Sequence, residues 1–339
     1  MVKVLYVIVS NSSDIYAEQL LISLYSLKFH NPNINVALLM DGATEKSIRQ
    51  RLGIIFEYIS ETTCITFDNS VSLYERSRML KTNARNYVEG DFLFLDTDTV
   101  VTDFIGDIEN WNIAIGAVKD LHQNSLHTCR YIDFIEKCAS KMKWTDYNRE
   151  INYFNSGVMF VRDTDETREF YKKWNKNWIN GKKLGVKQDQ IALAKTNNEC
   201  PLITEIDGIW HCQLLGNGLP FLYDAKIIHY FNSSVQNKNG IQPYSFMNNS
   251  LLLNVKTKSC LDCEVVELII NAKRAFAERT DIISGHSIDI YYSKSFLFLL
   301  YLKSRHCGIF KIIEKSFSVL GKLLHAMKYL YSYKRLWTL

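Results

Sequence analysis

Apolar positions along the first half of the chain fall into alternating runs of two kinds. VKVLYVIVS (2–10) has one charged residue and no regular polar alternation, which predicts a strand buried on both faces. It runs into a polar turn, Asn11-Ser12-Ser13-Asp14. Leu20, Leu21, Leu24 and Leu27 then recur at helical spacing, and Asn31-Pro32 ends the pattern. INVALLMD (34–41) predicts a second strand ending at Asp41-Gly42. A third unit follows, with a helix over 44–53 and a strand over IIFEYIS (54–60). SRMLKTNARNYV (77–88) predicts a helix closed by Glu89-Gly90, and FLFLD the next strand. Further apolar runs lie at 111–120, 151–161 and 221–231, with a charged helix over about 164–180 and a helix in KQDQIALAKT (187–196). Strands alternating with helices of this length predict an open, mainly parallel α/β sheet. Ligand crevices in such sheets open at the C-terminal strand ends, where Ser10–Asp14, Asp41 and Asp96–Asp98 fall.

The character changes after residue 231. Residues 232–260 are rich in Asn and Ser, 264–280 show a helical pattern, and the stretch from Phe296 onward is helical, basic and aromatic. The expected division is an α/β region over 1–235 and a mostly helical, basic region over 236–339, with a soft boundary within 235–260. A hydrophobic content of 47% and a charged content of 22% suit a soluble globular protein. MVKVLYVIVSNSS reads as a strand rather than a secretory leader, and no uncharged apolar stretch reaches the roughly 18 residues of a spanning helix. The eight scattered cysteines therefore predict free thiols in a reducing cytosol, and Cys260–Cys263, a CxxC without a second pair, predicts ordinary packing.

Charge is unevenly spread. From Lys294 onward nine Lys/Arg face one acid, Glu314, a net of +8, so residues 1–293 carry −4 of the total +4. Lysines 311, 315, 322 and 328 accompany an apolar stripe including Ile309, Ile312, Ile313, Leu320, Leu323, Leu324 and Met327. A basic amphipathic helix of this kind suits the surface of an anionic bilayer, here the inner face of the cytoplasmic membrane. The same stripe suits packing on the α/β region or a homodimer contact. Nothing in the pattern points to nucleic acid.

FLFLDTDTVV (92–101) carries the chemistry. Two carboxylates separated by one residue at the end of a buried strand repel each other unless a positive charge lies between them. Mn²⁺ or Mg²⁺ fits, since hard divalent ions take carboxylate and phosphate oxygens together. Bound there, such an ion would grip a diphosphate and offset the charge developing on it as a leaving group. Alone, the Asp-X-Asp pattern also reads as a solvated turn.

DFLFLDTDTVV, INYFNSGVMFV, KQDQIAL and KIIHYF occur in this order over residues 2–231, and together they resemble the GT-A glycosyltransferases of family 8, the glycogenin and lipopolysaccharide glucosyl- and galactosyltransferase group. The resemblance implies a GT-A catalytic domain that transfers a hexose, with retention, from a UDP-sugar such as UDP-glucose or UDP-galactose to a glycan or glycolipid hydroxyl. It implies Asp96, Asp98 and His229 as metal ligands, with Asp96 also near the ribose and Thr97 in the substrate-binding set. Val9, Ser10 and Asn11 would hold the nucleotide and Tyr16 would stack on the base. Lys81, with Arg78 a turn earlier, would approach the phosphates; Asp120, Asn155, Ser156 and the catalytic candidates Asp189 and Gln190 would line the sugar and acceptor cleft.

Here the sequence departs from the family's pattern in one place. A Gly and a Lys-Pro-Trp usually follow the histidine, whereas this chain reads His229-Tyr-Phe-Asn-Ser-Ser-Val. Phosphate contacts would then come from Lys81, Arg78 or a later residue such as Lys238. That departure also keeps a rival reading in view, a nucleotide-sugar-binding scaffold without turnover. Each site residue has an ordinary reading as well: His229 as a core histidine, Asp189 as a first-turn acid or cap, Asn155-Ser156-Gly157 as a turn, Arg78 and Lys81 as a solvated helix face.

Overall fold

The fold, taken from a computed structural model, is described for residues 2–129, 131–214, 216–230, 246, 249–274, 286–291 and 293–335. The elements run β1 (Lys3–Ile8), α1 (Tyr16–His30), β2 (Val36–Asp41), α2 (Gly42–Arg51), β3 (Glu61–Ile65), α3 (Leu73–Thr82), β4 (Phe92–Leu95) and β5 (Thr99–Val101). They continue with β6 (Ile115–Lys119), α4 (Ile132–Lys141), β7 (Phe154–Val161), α5 (Asp165–Lys183), α6 (Asp189–Glu199), β8 (Ile203–Glu205), β9 (Cys212–Gln213) and β10 (Ile227–His229). Five helices follow: α7 (Asn249–Lys258), α8 (Cys263–Ile270), α9 (His286–Tyr291), α10 (Lys294–Arg305) and α11 (Cys307–Arg335).

Seven strands form a sheet in the order β3-β2-β1-β4-β7-β6-β8. All pairings are parallel except those of β7 with β4 and β6. The central strands are buried on both faces, which is why KVLYVI, VALLMD and FLFL lack polar alternation. Val4, Tyr6 and Ile8 face α1 through Leu20, Leu24 and Leu27, while Leu5 and Val7 face Leu80, Phe170, Trp174 and Trp178 of α3 and α5. Removing either fully buried tryptophan side chain would cost about 3–5 kcal/mol. A smaller sheet, β5-β10-β9, flanks the large one.

The third unit differs from expectation. IIFEYIS falls largely in a 3-10 turn over Gly53–Tyr58 in which only Ile55 is buried, with Phe56 lying under the Arg49 guanidinium. The strand comes later, in the polar ETTCI, because β3 is an edge strand with little to bury. The helix expected over 77–88 begins at Leu73, set by a capping box between Ser72 and Glu75, and gives way after Thr82 to a 3-10 turn over Ala84–Asn86. Among the described residues of 221–231 only Ile227–His229 is a strand, and the pattern over 264–280 yields α8 and a short turn over Ala272–Arg274, with 275–280 outside the described residues.

The chain divides into two compact units, Met1–Val235 with Pro243–Glu278, and Gln236–Gln242 with Arg279–Leu339. In the first, Leu252 and Val255 of α7 and Val265 and Ile269 of α8 are buried in the core that α1 also serves. In the second, α10 packs along α11. Ile309, Ile312, Phe317, Leu320, Leu323 and Leu324 of α11 are each more than half exposed. No helix among the described residues is long and apolar enough to cross a membrane, and all eight cysteines are free thiols.

Candidate active site

Asp96-Thr97-Asp98 is the turn by which the chain leaves the large sheet and enters the small one. Asp96 N–H donates to Gly157 O (2.7 Å), continuing the β4–β7 ladder. Tyr230 N–H donates to Asp98 O (3.0 Å), continuing the β5–β10 pairing that sets His229 opposite Thr99. Both carboxylates therefore ride on backbone fixed from either side, and His229 is delivered to them by the partner strand. Ligating atoms of Asp96, Asp98 and His229 all lie within 4.8 Å of one another. His229 Nε2 stands 3.0 Å from Asp98 Oδ1.

The environment divides the two carboxyls. Burial raises the Asp96 carboxyl, against the Lys81 ammonium, and the Asp98 charge adds to the rise. For Asp98 burial acts the same way, but His229, a backbone hydrogen bond and Lys81 together hold the carboxyl below its ordinary value. Lys81 Nζ donates to both Asp96 oxygens, at 2.9 and 3.0 Å, and lies 3.9 Å from Asp189 Oδ2. Arg78 Nε lies 3.1 Å from Asp189 Oδ1. Asp189 is the first residue of α6, buried, with Ser156 Oγ 3.3 Å from Oδ2 and Trp174 Nε1 donating to its carbonyl. Burial pushes its carboxyl up, yet Arg78 and Lys81 bring it below the ordinary value.

These groups border a cleft of about 810 Å³ at the C-terminal ends of β1 and β4. Val9, Asn11, Tyr16, Arg78, Lys81, Asp96, Thr97, Asp98, Asn155, Ser156, Asp189, Gln190 and His229 all line it. Two sequence-predicted residues sit behind that lining. Ser10 is buried, donating to Asp14 Oδ1 (2.6 Å) and accepting from Arg51 (2.8 Å), so it braces the turn. Asp120 accepts from Asn155 Nδ2 (2.7 Å) and borders a smaller pocket with Gln123 and Tyr153. Leu121 and His122, which follow it, both have φ of 53°, a strained stretch for side-chain-bearing residues. Lys238 lies outside the described residues.

Gln19, Tyr74 and Gln188 also line the cleft without having been singled out from sequence. Tyr74 is held by its hydroxyl, which donates to Lys187 O (2.9 Å). His211 was missed as well: its Nε2 lies 2.7 Å from His229 Nδ1. No pattern in IDGIWHCQ announces it, since the contact depends on a 3-10 turn over Gly208–His211 beside β10.

The profile of glycosyl transferase family 8 matches residues 7–235. The chain belongs to glycosyl transferase family 8. That span holds every residue of the cleft. Among solved structures, the bifunctional glycosyltransferase WbbM in its apo form is 14% identical with a TM-score of 0.50, over 78% of this chain and 51% of that one. The glycosyltransferase GlyE of Streptococcus pneumoniae TIGR4 is 16% identical with a TM-score of 0.49, over 84% of this chain and 67% of that one. LgtC, a galactosyltransferase in complex with donor and acceptor sugar analogs, is 15% identical with a TM-score of 0.47, over 78% and 99%. No curated protein matches the chain. Family membership makes this family 8 chain a glycosyltransferase, in preference to a binding scaffold, on a GT-A-like mixed α/β fold.

Proposed function

We propose that this family 8 glycosyltransferase moves a hexose from a UDP-sugar to a hydroxyl of a glycan or glycolipid, with Mn²⁺ or Mg²⁺ held by Asp96, Asp98 and His229. One observation carries the reading: two carboxylates and an imidazole converge within 4.8 Å at the rim of a cleft large enough for a nucleotide sugar. The donor set suits a divalent ion, with carboxylate oxygens and one imidazole nitrogen. Gly157 fits too, because a Cβ there would strike the His229 ring, 2.8 Å from Nδ1. When bound, the ion supplies charge stabilisation to the departing diphosphate.

The chain's own residues orient the reactants. Val9, Asn11 and Tyr16 form the wall at the end of β1 for the nucleoside, on a turn braced by Asp14, Ser10 and Arg51. Lys81 and Arg78 place two cations between the carboxylates, where phosphate oxygens would take over part of their pairing. Asn155, Ser156, Asp189 and Gln190 border the space left for the sugar and acceptor. Retention of configuration is proposed from the family likeness, with Asp189 as the carboxylate beside the donor sugar.

The second unit supports a peripheral membrane contact. Lys311, Lys315 and Lys322 lie on the side of α11 opposite Ile309, Leu320 and Leu324 by helical spacing, and the apolar side is exposed. With a net +8 from Lys294 onward, the partner favoured by charge is an anionic bilayer. The enzyme reading is tested by measuring UDP release from a panel of UDP-sugars with Mn²⁺, with and without added glycan acceptors. Release from at least one UDP-hexose that Mn²⁺ stimulates is expected; turnover only with other nucleotide sugars would reject the donor assignment.

A further inference from the structure

His211 is fully buried, and among the described residues its Nδ1 has no hydrogen-bond partner. Its other nitrogen, Nε2, lies 2.7 Å from His229 Nδ1. Ring planes of the two histidines are 22° apart with centroids 4.9 Å apart. That separation is close to the greatest the rings can have with those nitrogens 2.7 Å apart, so this is an in-plane N–H···N bond rather than a face-to-face stack. A buried side chain with one orphaned nitrogen is a costly way to fill space. An apolar ring would fill it without that cost, so the return must come from Nε2.

We infer that His211 is the positioning residue that sets His229 as a cation ligand, by accepting the His229 Nδ1 proton and leaving Nε2 bare toward Asp98. The inference rests on the metal site proposed above. Only one proton fits between the two nitrogens. On His211 Nε2, it makes His229 Nδ1 an acceptor and puts the single proton of the neutral His229 ring on Nε2, aimed at Asp98 Oδ1 3.0 Å away. On His229 Nδ1, with the former Nε2 proton released to solvent and His211 carrying its own proton on Nδ1, both rings stay neutral. His229 Nε2 then turns a lone pair to the two carboxylates, which is the form a cation requires. His211 permits both arrangements, and a bound cation selects the second. The absence of a side chain at Gly157 leaves room for the Cε1–Nδ1 edge of the ring, where a Cβ would lie 2.8 Å from Nδ1.

The test is Mn²⁺ binding to the full chain in the presence of UDP, followed by calorimetry. His211→Phe should weaken Mn²⁺ by about 10- to 100-fold, the usual effect of losing a ligand's outer partner. His211→Gln, whose side-chain amide reaches the place of Nε2, should stay within about threefold of wild type. A second measurement needs no substitution: ¹⁵N spectra of histidine-labelled wild type with Mg²⁺ and UDP should show His229 protonated on Nδ1 alone. Folded His211→Phe binding Mn²⁺ like wild type, or a proton on His229 Nε2 in the Mg²⁺ complex, would overturn the inference and leave the metal site standing. A wild-type protein that binds neither Mn²⁺ nor Mg²⁺ would overturn the metal site and this inference with it.

Discussion

Arg78 Nε stands 3.1 Å from Asp189 Oδ1, so the helix that follows the β3 edge is tied across the cleft to the first residue of α6. Spacing alone made Arg78 and Lys81 a basic face on α3. The fold turns that face inward, and Lys81 is 5% exposed. Asp189 then carries a charge that two cations hold in place, beside the space for the sugar.

Asp189→Asn keeps size and helix-start geometry while removing the charge. Transfer should fall by about 100-fold or more, the scale of losing one preorganised charged group, while UDP affinity stays within about threefold. Steady-state kinetics set beside UDP calorimetry check it. Transfer at the wild-type rate would leave Asp189 as a helix-start residue only.

Gly157→Ala places a methyl group against the His229 ring. Overpacking should cost about 1–3 kcal/mol of stability and push His229 away from Asp98. A lower urea midpoint together with weaker Mn²⁺ binding is the expected pair of results. A change in stability without a change in Mn²⁺ affinity would show that the ring tolerates displacement.

His122 gives the fold an acid limit. Burial lowers its pKa to about 4 from an ordinary 6.5, and its Nε2 accepts from Gln213 N–H at 3.0 Å. As pH falls the unfolded chain takes up this proton first. Stability is therefore complete above about 6.5 and is lost progressively toward 4. The contribution is on the order of 1–2 kcal/mol, reduced because the ring is partly exposed. Melting temperature should drop more steeply between those pH values in wild type than in His122→Gln; equal slopes would assign the loss to other groups.

Reversing three charges on α11, Lys311→Glu with Lys315→Glu and Lys322→Glu, should abolish co-sedimentation with anionic vesicles at low salt. Each basic residue near such a surface is worth about 1 kcal/mol, so the reversal removes and then opposes the attraction. Wild-type binding should weaken as added salt shortens the Debye length. UDP-sugar hydrolysis should be unchanged in the variant. Vesicle binding by the variant equal to wild type would reject the surface contact.

The central strands were legible because burial on both faces writes continuous apolar runs, as in β1, β2, β4 and β7. β3 was not, since an edge strand with exposed Thr62 and Cys64 needs no such run, and IIFEYIS drew the assignment instead. Thirteen of the residues proposed for the site line one cleft, because Asp96, Asp98, His229 and their companions sit at strand ends or first helical turns that the apolar pattern locates. Ser10 and Asp120 lie one layer back, a distinction of side-chain direction that no spacing encodes. His211 escaped notice for a related reason: it is 18 residues from His229, and only the β9–β10 pairing brings the rings together.

Calorimetric titration of UDP into wild type and Asp98→Ala, each with and without Mn²⁺, tests the central claim most directly. Mn²⁺ should raise the UDP affinity of wild type by at least about tenfold and leave that of the folded variant unchanged, because Asp98 is one of the residues that would hold the ion and the ion would supply charge to offset the diphosphate. The same UDP affinity in wild type and variant under Mn²⁺, with the fold intact by circular dichroism, would contradict a metal-held nucleotide sugar at Asp96, Asp98 and His229.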